Sequence, residues 1–221
     1  MRLAFYDLDG TLVSSNVVTL YAWYARNHPS RLTAAEKLAR LLAGVPVWIA
    51  CELYSRRRFN EVFYREYRGF RQDWLLAQAD ALFSTVLRGA IYPGAEALVA
   101  ADREAGYRTV LVTGSLDFAL GPLVRHFGFD ELIANRLVFR DGGATGEMAP
   151  PVIAEQEKVA AMRRLLGALG ADPRQSKAYS DSISDLPMLE AVGLPAAANP
   201  DRRLRRAALA RGWPVLDLRR G

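Results

Sequence analysis

Apolar residues along this chain recur with two different periods, and the change of period divides it. A short unbroken run, Leu3-Ala4-Phe5-Tyr6, opens the chain and has the length of a buried strand. From Ser14 to about Arg88 the spacing is helical, with almost no strand signal. Val17, Leu20, Tyr21 and Tyr24 trace one helix face. Thr33, followed three residues on by Glu36, has the form of a capping box and predicts the start of a second helix, whose apolar face continues through Leu38, Leu41 and Leu42. Pro46 is expected to break or kink the chain beyond that face. An Arg- and aromatic-rich stretch, 52–67, precedes a further amphipathic helix over 73–87.

Past Ala90 the pattern changes to strands alternating with helices. Helices are predicted over 95–105, 117–127, 159–169, 186–192 and 202–210. Strands are predicted over 109–112, at Ala178-Tyr179, and over 196–198 and 215–218. Asp141-Gly142-Gly143, flanked by 137–140 and 145–148, reads as a hairpin. This order implies an α/β fold: a Rossmann-like parallel sheet with helices on both faces. The core is then built from residues 1–13 and 89–221, with an all-helical cap, 14–88, inserted between them.

Composition adds limits. At 51% apolar residues the chain can bury a core. Its net charge of +5 is carried almost wholly by arginine, since lysine occurs only at positions 37, 158 and 177. The arginines reflect either base content of the genome or attraction to anionic substrates and lipid surfaces. Cys51 is the only cysteine, which excludes an intrachain disulfide and fits a reducing cytoplasm. The longest apolar run, 41–51, is too short to span a membrane and contains Pro46. A cytoplasmic protein with no transmembrane segment and no nucleic-acid partner is expected. Val45-Pro46-Val47-Trp48-Ile49, close to Arg56-Arg57-Arg58, reads as cap–core or homodimer packing, with peripheral contact to anionic lipid as the alternative.

The candidate chemistry begins at Asp7-Leu8-Asp9-Gly10-Thr11-Leu12. Extended backbone sends residues i and i+2 to one side, so Asp7 and Asp9 converge at a strand tip. Two close carboxylates repel unless they share a cation or a proton. With a glycine turn behind them, they suggest a magnesium and phosphate site. In open parallel sheets ligands bind beyond the carboxyl ends of the strands, and two more strand ends carry reactive groups. One offers Thr113, with the Gly114 and Ser115 amides expected at a helix start. The other offers Asp181 and Asp185, and Lys158 precedes a helix between them. Singly, each of these has an ordinary reading as a cap or a solvated charge; their order as a set does not.

In that order the chain resembles the haloacid dehalogenase-like superfamily, and in particular its phosphoserine-phosphatase-like branch with a helical cap. The resemblance implies a Mg²⁺-dependent phosphomonoesterase that acts on a small-molecule phosphate ester through an aspartyl-phosphate. It implies Asp7 as nucleophile, Asp9 as acid and then base, Thr113 and Gly114 as holders of phosphoryl oxygens, and Lys158 as charge neutraliser. The metal would be held by Asp7, Asp9 through its carbonyl, and Asp181, with Asp185 nearby. Two alternatives stay open: transfer of the phosphoryl group to an alcohol acceptor, and a non-catalytic phospholigand-binding protein. Ser14, Ser15, Asn16 and Arg56 are the cap positions expected to touch substrate. Phosphoserine phosphatases of this branch carry a glutamate nine residues after the nucleophile, where this chain has Asn16, so phosphoserine itself is not indicated. Ser182 and Ser184 also replace the Gly and Asn of the branch's common fourth motif. A Cys51–Arg57 pair with cysteine-phosphatase spacing lacks the glycines that such a loop needs.

Overall fold

A computed structural model describes residues 1–220, with Glu52 described by its backbone alone. β1 (Leu3–Tyr6) is followed by a helical insertion and then by the rest of the sheet. The insertion comprises α1 (Val17–Arg26), α2 (Arg31–Tyr54), α3 (Arg56–Phe63), a 3₁₀ turn (Tyr64–Tyr67), α4 (Gln72–Ala77), α5 (Ala79–Leu82), a wide π turn (Phe83–Leu87) and α6 (Arg88–Ala90). The remaining elements are α7 (Ala95–Glu104), β2 (Arg108–Leu116), α8 (Gly121–Phe127), β3 (Glu131–Arg140), β4 (Gly143–Ala149), α9 (Gln156–Ala168), β5 (Lys177–Ser180), α10 (Leu186–Glu190), β6 (Leu194–Ala198), α11 (Arg202–Ala210) and β7 (Val215–Leu216).

The seven strands form one sheet in the order β4-β3-β2-β1-β5-β6-β7. Every pairing is parallel except β3 with β4. The chain builds outward from β1 on one side and returns to begin the other side at β5. The strand order therefore reverses at β1, and the crevice for a ligand lies beyond the tips of β1 and β5. Alternation along β1 separates the two layers of core. Leu3 and Phe5 pack with Val159 and Met162 of α9, Leu189 of α10 and Leu204 of α11. Ala4 and Tyr6 pack with Val99 of α7, Leu123 of α8 and the inserted helices.

Several boundaries differ from those that the spacing predicts. The second helix starts at Arg31 because Ser30, not Thr33, is its cap: Ser30 Oγ accepts from the Thr33 amide. α2 runs through Pro46 and ends only at Ser55, whose extended backbone (φ −167°) caps α3. The predicted helix over 73–87 is divided into α4, α5 and the π turn. β2 continues to Leu116, so the following helix begins with a 3₁₀ turn (Asp117–Ala119) and α8 proper. β3 is longer than the hairpin alone requires, because its first half pairs in parallel with β2. No described helix is long and apolar enough to cross a membrane.

Entry to the insertion and exit from it lie side by side. The Ser14 amide donates to the Ala90 carbonyl (2.8 Å), and the Tyr92 amide donates to the Leu12 carbonyl (2.9 Å). An aromatic cluster fastens the insertion to the sheet. Tyr21, Tyr24, Tyr67 and Phe70 meet mostly edge to face, and the Tyr24 and Tyr67 rings both reach Phe118 after β2, at 5.7 and 5.9 Å.

Behind the sheet, Asp102 of α7 is only 2% exposed and takes three donors: the Tyr6 hydroxyl, the Tyr179 hydroxyl and the Lys177 ammonium. Removing that carboxylate strands an ammonium and two hydroxyls. Asp102→Ala is expected to cost about 3–5 kcal/mol, read from the urea unfolding midpoint at constant m-value. A loss below about 1 kcal/mol, the net worth of an ordinary hydrogen bond, would show that the network contributes little.

Candidate active site

Three strand tips and one helix start converge at the switch point. Asp7 follows β1, with its amide bonded to the Tyr179 carbonyl of β5 (3.0 Å). Gly10 turns the chain back with φ at +86°, and a Cβ there would collide with the Asp181 carboxylate, so the turn admits glycine alone. Thr11, fully buried, uses its hydroxyl as a clamp. Its Oγ1 donates toward Asp7 Oδ2 and Asp181 Oδ1, both at 3.1 Å, and accepts from the Asp181 amide at 3.0 Å. Lys158, near the start of α9 and 5% exposed, sits between two carboxylates: Nζ is 2.6 Å from Asp7 Oδ1 and 2.8 Å from Asp185 Oδ2. Asp185 is fixed further by the Ser180 hydroxyl (2.8 Å). Asp9 accepts from Ser115 Oγ at Oδ2 (3.0 Å), while its buried Oδ1 has no hydrogen-bond partner among the described residues.

A cleft of about 120 Å³ joins these groups, lined by Asp7, Asp9, Gly114, Lys158, Asp181 and Asp185 together with Arg56. With Glu155, which also lines the cleft, five carboxylates thus face one lysine and one arginine. Burial pushes the Asp9 carboxyl up to about 6, with the Asp7 charge adding to it. Burial followed by Asp7 raises Asp181 to about 7. Burial also raises Asp7 itself, against the opposing pull of Lys158. For Lys158, burial is the largest influence and favours the neutral amine, but Asp185 and Asp7 outweigh it and hold the ammonium above its ordinary range. The site is therefore rich in oxygen donors and in uncompensated negative charge. Among the described residues, no three His, Cys, Asp or Glu side chains form a ready-made metal cage.

Not every expected residue enters the cleft. Thr113 is fully buried, with Oγ1 accepting from the Ser115 amide (3.0 Å); Gly114, its neighbour, is the residue that lines the cleft. Gly114 and Ser115 belong to β2 and are not at a helix start, since α8 begins only at Gly121. Ser14 is exposed and its hydroxyl donates to the Ala90 carbonyl. Ser15 is buried, and its hydroxyl is unpaired among the described residues. Asn16 caps α1, its Oδ1 accepting from the Val18 and Thr19 amides, both at 3.0 Å. Arg56 does reach the cleft, and its amide donates to Glu155 Oε1 (2.9 Å) across from the insertion. Cys51 lies on α2 outside the cleft, and Arg57 is paired with Glu61 (3.0 Å).

The sequence offers Ser115 for its amide, but its contribution is its hydroxyl, legible as the second one of the V-T-G-S strand end. Two further contributors are not evident from the sequence. Glu155 takes a positive φ of 45°, which its sequence context does not announce. Asn60 of α3 is 1% exposed, and its Nδ2, unpaired among the described residues, lies against Gly114; nothing in its helical neighbourhood marks it.

Known proteins resemble this chain in sequence and fold. Residues 4–190 match the haloacid dehalogenase-like hydrolase family. The chain belongs to this family. A probable phosphatase of Mycobacterium tuberculosis is 41% identical over 151 residues, which cover 66% of this chain and 52% of that protein; the chain thus spans about half the length of that relative. A protein of unknown function from Bordetella pertussis Tohama I has a crystal structure that superposes with a TM-score of 0.86 at 32% identity, covering 98% of each chain. A substrate-bound phosphoserine phosphatase shares the fold, with a TM-score of 0.71 at 19% identity over 99% of this chain and 94% of that one.

The lysine's position makes a direct prediction. Lys158→Met leaves Asp7 and Asp185 buried without their countercharge and is expected to cost about 3–5 kcal/mol of stability. Chemical denaturation in metal-free buffer measures it; an unchanged midpoint would mean that the carboxylates do not depend on the ammonium.

Proposed function

We propose that the protein is a phosphomonoester hydrolase that works through an aspartyl-phosphate on Asp7. The observation that carries this reading is the contrast between the two neighbouring carboxylates. Asp7 has both oxygens held, one by Lys158 and one by Thr11, and its charge is balanced by the ammonium. Asp9 keeps a buried oxygen with no partner among the described residues, and its carboxyl is pushed up to about 6. Burial raises both carboxyls, but the Lys158 ion pair draws Asp7 back towards the ionised, attacking form, whereas Asp9 is held by a neutral hydroxyl and is the better placed to carry a proton.

In the first step the Asp7 carboxylate attacks phosphorus, the ester P–O bond breaks, and the departing alkoxide takes the proton of Asp9. In the second, ionised Asp9 removes a proton from water, the water oxygen attacks phosphorus, and the Asp7–phosphate bond breaks to release phosphate. Dividing the displacement in this way replaces one difficult step with two easier ones. Lys158, Arg56 and the backbone at Gly114 are placed to offset charge on the phosphoryl oxygens. Thr113, one residue earlier, supports the Gly114–Ser115 backbone through its bond to the Ser115 amide.

The donor set fits Mg²⁺, which takes oxygen ligands and needs only one or two carboxylates because it keeps several waters. Asp7, Asp181 and the Asp9 carbonyl are the groups that would hold it, with Asp185 behind. When bound, the ion supplies positive charge that relieves the crowding of the carboxylates and polarises the phosphoryl group. We assign residues 14–88 the role of a specificity cap: the paired entry and exit at Ser14 and Ala90, and the placement of Arg56 over the cleft, support it.

Asp7→Asn is expected to abolish hydrolysis of p-nitrophenyl phosphate in the presence of Mg²⁺; full activity would falsify the nucleophile assignment. Asp9→Asn is expected to slow alkyl phosphates far more than p-nitrophenyl phosphate, because a good leaving group needs no proton. Equal loss for both would count against its role as acid.

A further inference from the structure

The carboxylate cleft, at about 120 Å³, is smaller than the 300 Å³ or more usual for a small-molecule pocket. Most of an ester's alcohol must lie outside it. Next to it is a second cavity of about 360 Å³. The second half of α2 supplies Val45, Trp48, Ile49 and Leu53, α3 supplies Phe59, and the start of α1 closes the far side. Arg56 lines both spaces and stands at the boundary between them, and among the described residues it is the only charged one on the wall of the larger cavity.

That wall offers almost nothing to a polar ligand. Its other polar side chain, Asn16, already accepts three hydrogen bonds at Oδ1, from the Val18 amide, the Thr19 amide and Thr19 Oγ1. Among the described residues, no carboxylate lines the cavity to receive an ammonium group. The neutral side-chain donors on the wall are the Asn16 amide nitrogen and the Trp48 indole N–H, so most of a polar group's hydrogen bonds to water would be lost on entry without replacement. The apolar side chains have the opposite need. Ile49 is 56% exposed and Leu53 84% exposed, both on the rim, and only an apolar occupant shields them from water. A positive charge at the inner end and hydrocarbon at the outer end match a molecule with an anionic head and an apolar body.

We infer that the substrate is a phosphate monoester of an apolar alcohol, with its phosphoryl group in the carboxylate cleft and its hydrocarbon in the groove formed by α2 and α3. This rests on the phosphomonoesterase reading given above. The groove makes Val45, Ile49, Leu53 and Phe59 specificity residues and makes Arg56 the junction between head and body. A polar phosphate such as phosphoserine leaves the groove empty.

A chain-length series tests the groove. With Mg²⁺, kcat/KM is measured for methyl, butyl, hexyl and octyl phosphate, whose leaving groups differ little in reactivity, and for O-phosphoserine. Each methylene that leaves water is expected to raise kcat/KM about fourfold until the groove is full. The double variant Ile49→Ser, Leu53→Ser replaces two exposed side chains, which the fold tolerates, and is expected to lower the octyl-to-methyl ratio by roughly tenfold or more. That ratio is internal to each protein and does not move with a general loss of activity. A flat series in the unaltered protein, an unchanged ratio in the double variant, or phosphoserine turned over faster than octyl phosphate would overturn the inference. If no ester is hydrolysed, p-nitrophenyl phosphate included, the phosphomonoesterase reading fails by itself. Calorimetry with octylphosphonate against methylphosphonate then decides the groove: tighter octyl binding that the double variant loses supports it, and equal affinity overturns it.

Discussion

The architecture at the strand tips depends on one ammonium group between two carboxylates. Lys158 Nζ touches Asp7 and Asp185, which come from opposite sides of the switch point, and all three side chains are nearly out of reach of water. Taking such charges out of water costs several kcal/mol each, and only close pairing recovers it. The parallel pairing of β1 with β5 brings the two carboxylates within reach of one ammonium near the start of α9, and Thr11 and Ser180 add hydroxyls to the same carboxylates. Asp9 and Asp181 remain outside that balance. Burial and the charge of Asp7 push their carboxyls up, to about 6 and about 7.

The other two lysines obey the same rule. Lys177 is bonded to the buried Asp102 behind the sheet. Lys37 lies over the Phe70 ring at 4.2 Å and donates to the carbonyls of Glu66 and Arg68, closing the end of the 3₁₀ turn. In a chain whose positive charge is otherwise arginine, each lysine stands where a compact point charge meets a small number of oxygens, a task for which the planar guanidinium is poorly shaped.

Much of this was legible in the sequence because it is local. β1, α11, and the stop of α7 at Gly106 follow from apolar runs and turn residues within a few positions of each other. The acidic pair Asp7 and Asp9 was legible for the same reason, since strand geometry alone sends both side chains to one side. What the spacing did not disclose is non-local. The first half of β3 is a strand because β2 lies beside it, although Glu131 and Asn135 weaken its own strand signal. Helix α2 survives Pro46 through packing of Leu41 and Trp48, the latter edge-on to Phe63 at 5.1 Å. Ser115 meets Asp9 across 106 residues of sequence, and Glu155 meets Arg56 across 99. No window of neighbouring residues contains such pairs.

The pairing of Ser14 with Ala90, and of Leu12 with Tyr92, has a consequence for how this protein can change over time. The helical insertion leaves the sheet and rejoins it at nearly one point, so in topological terms it is a long loop with a closed neck. Lengthening such a loop costs little, because closure entropy grows only with the logarithm of its length. Helices between the neck bonds can therefore be lengthened, shortened or exchanged without moving a strand. Whatever replaces them must still meet the sheet where the present helices do: at Phe118, at Glu155 through the Arg56 amide, at the Gly114 carbonyl through the Tyr64 hydroxyl, and along 142–144 through the backbone of 69–72. The strand tips that carry the carboxylates are thus fixed by the sheet, while the helices between the neck bonds are constrained only where they touch it.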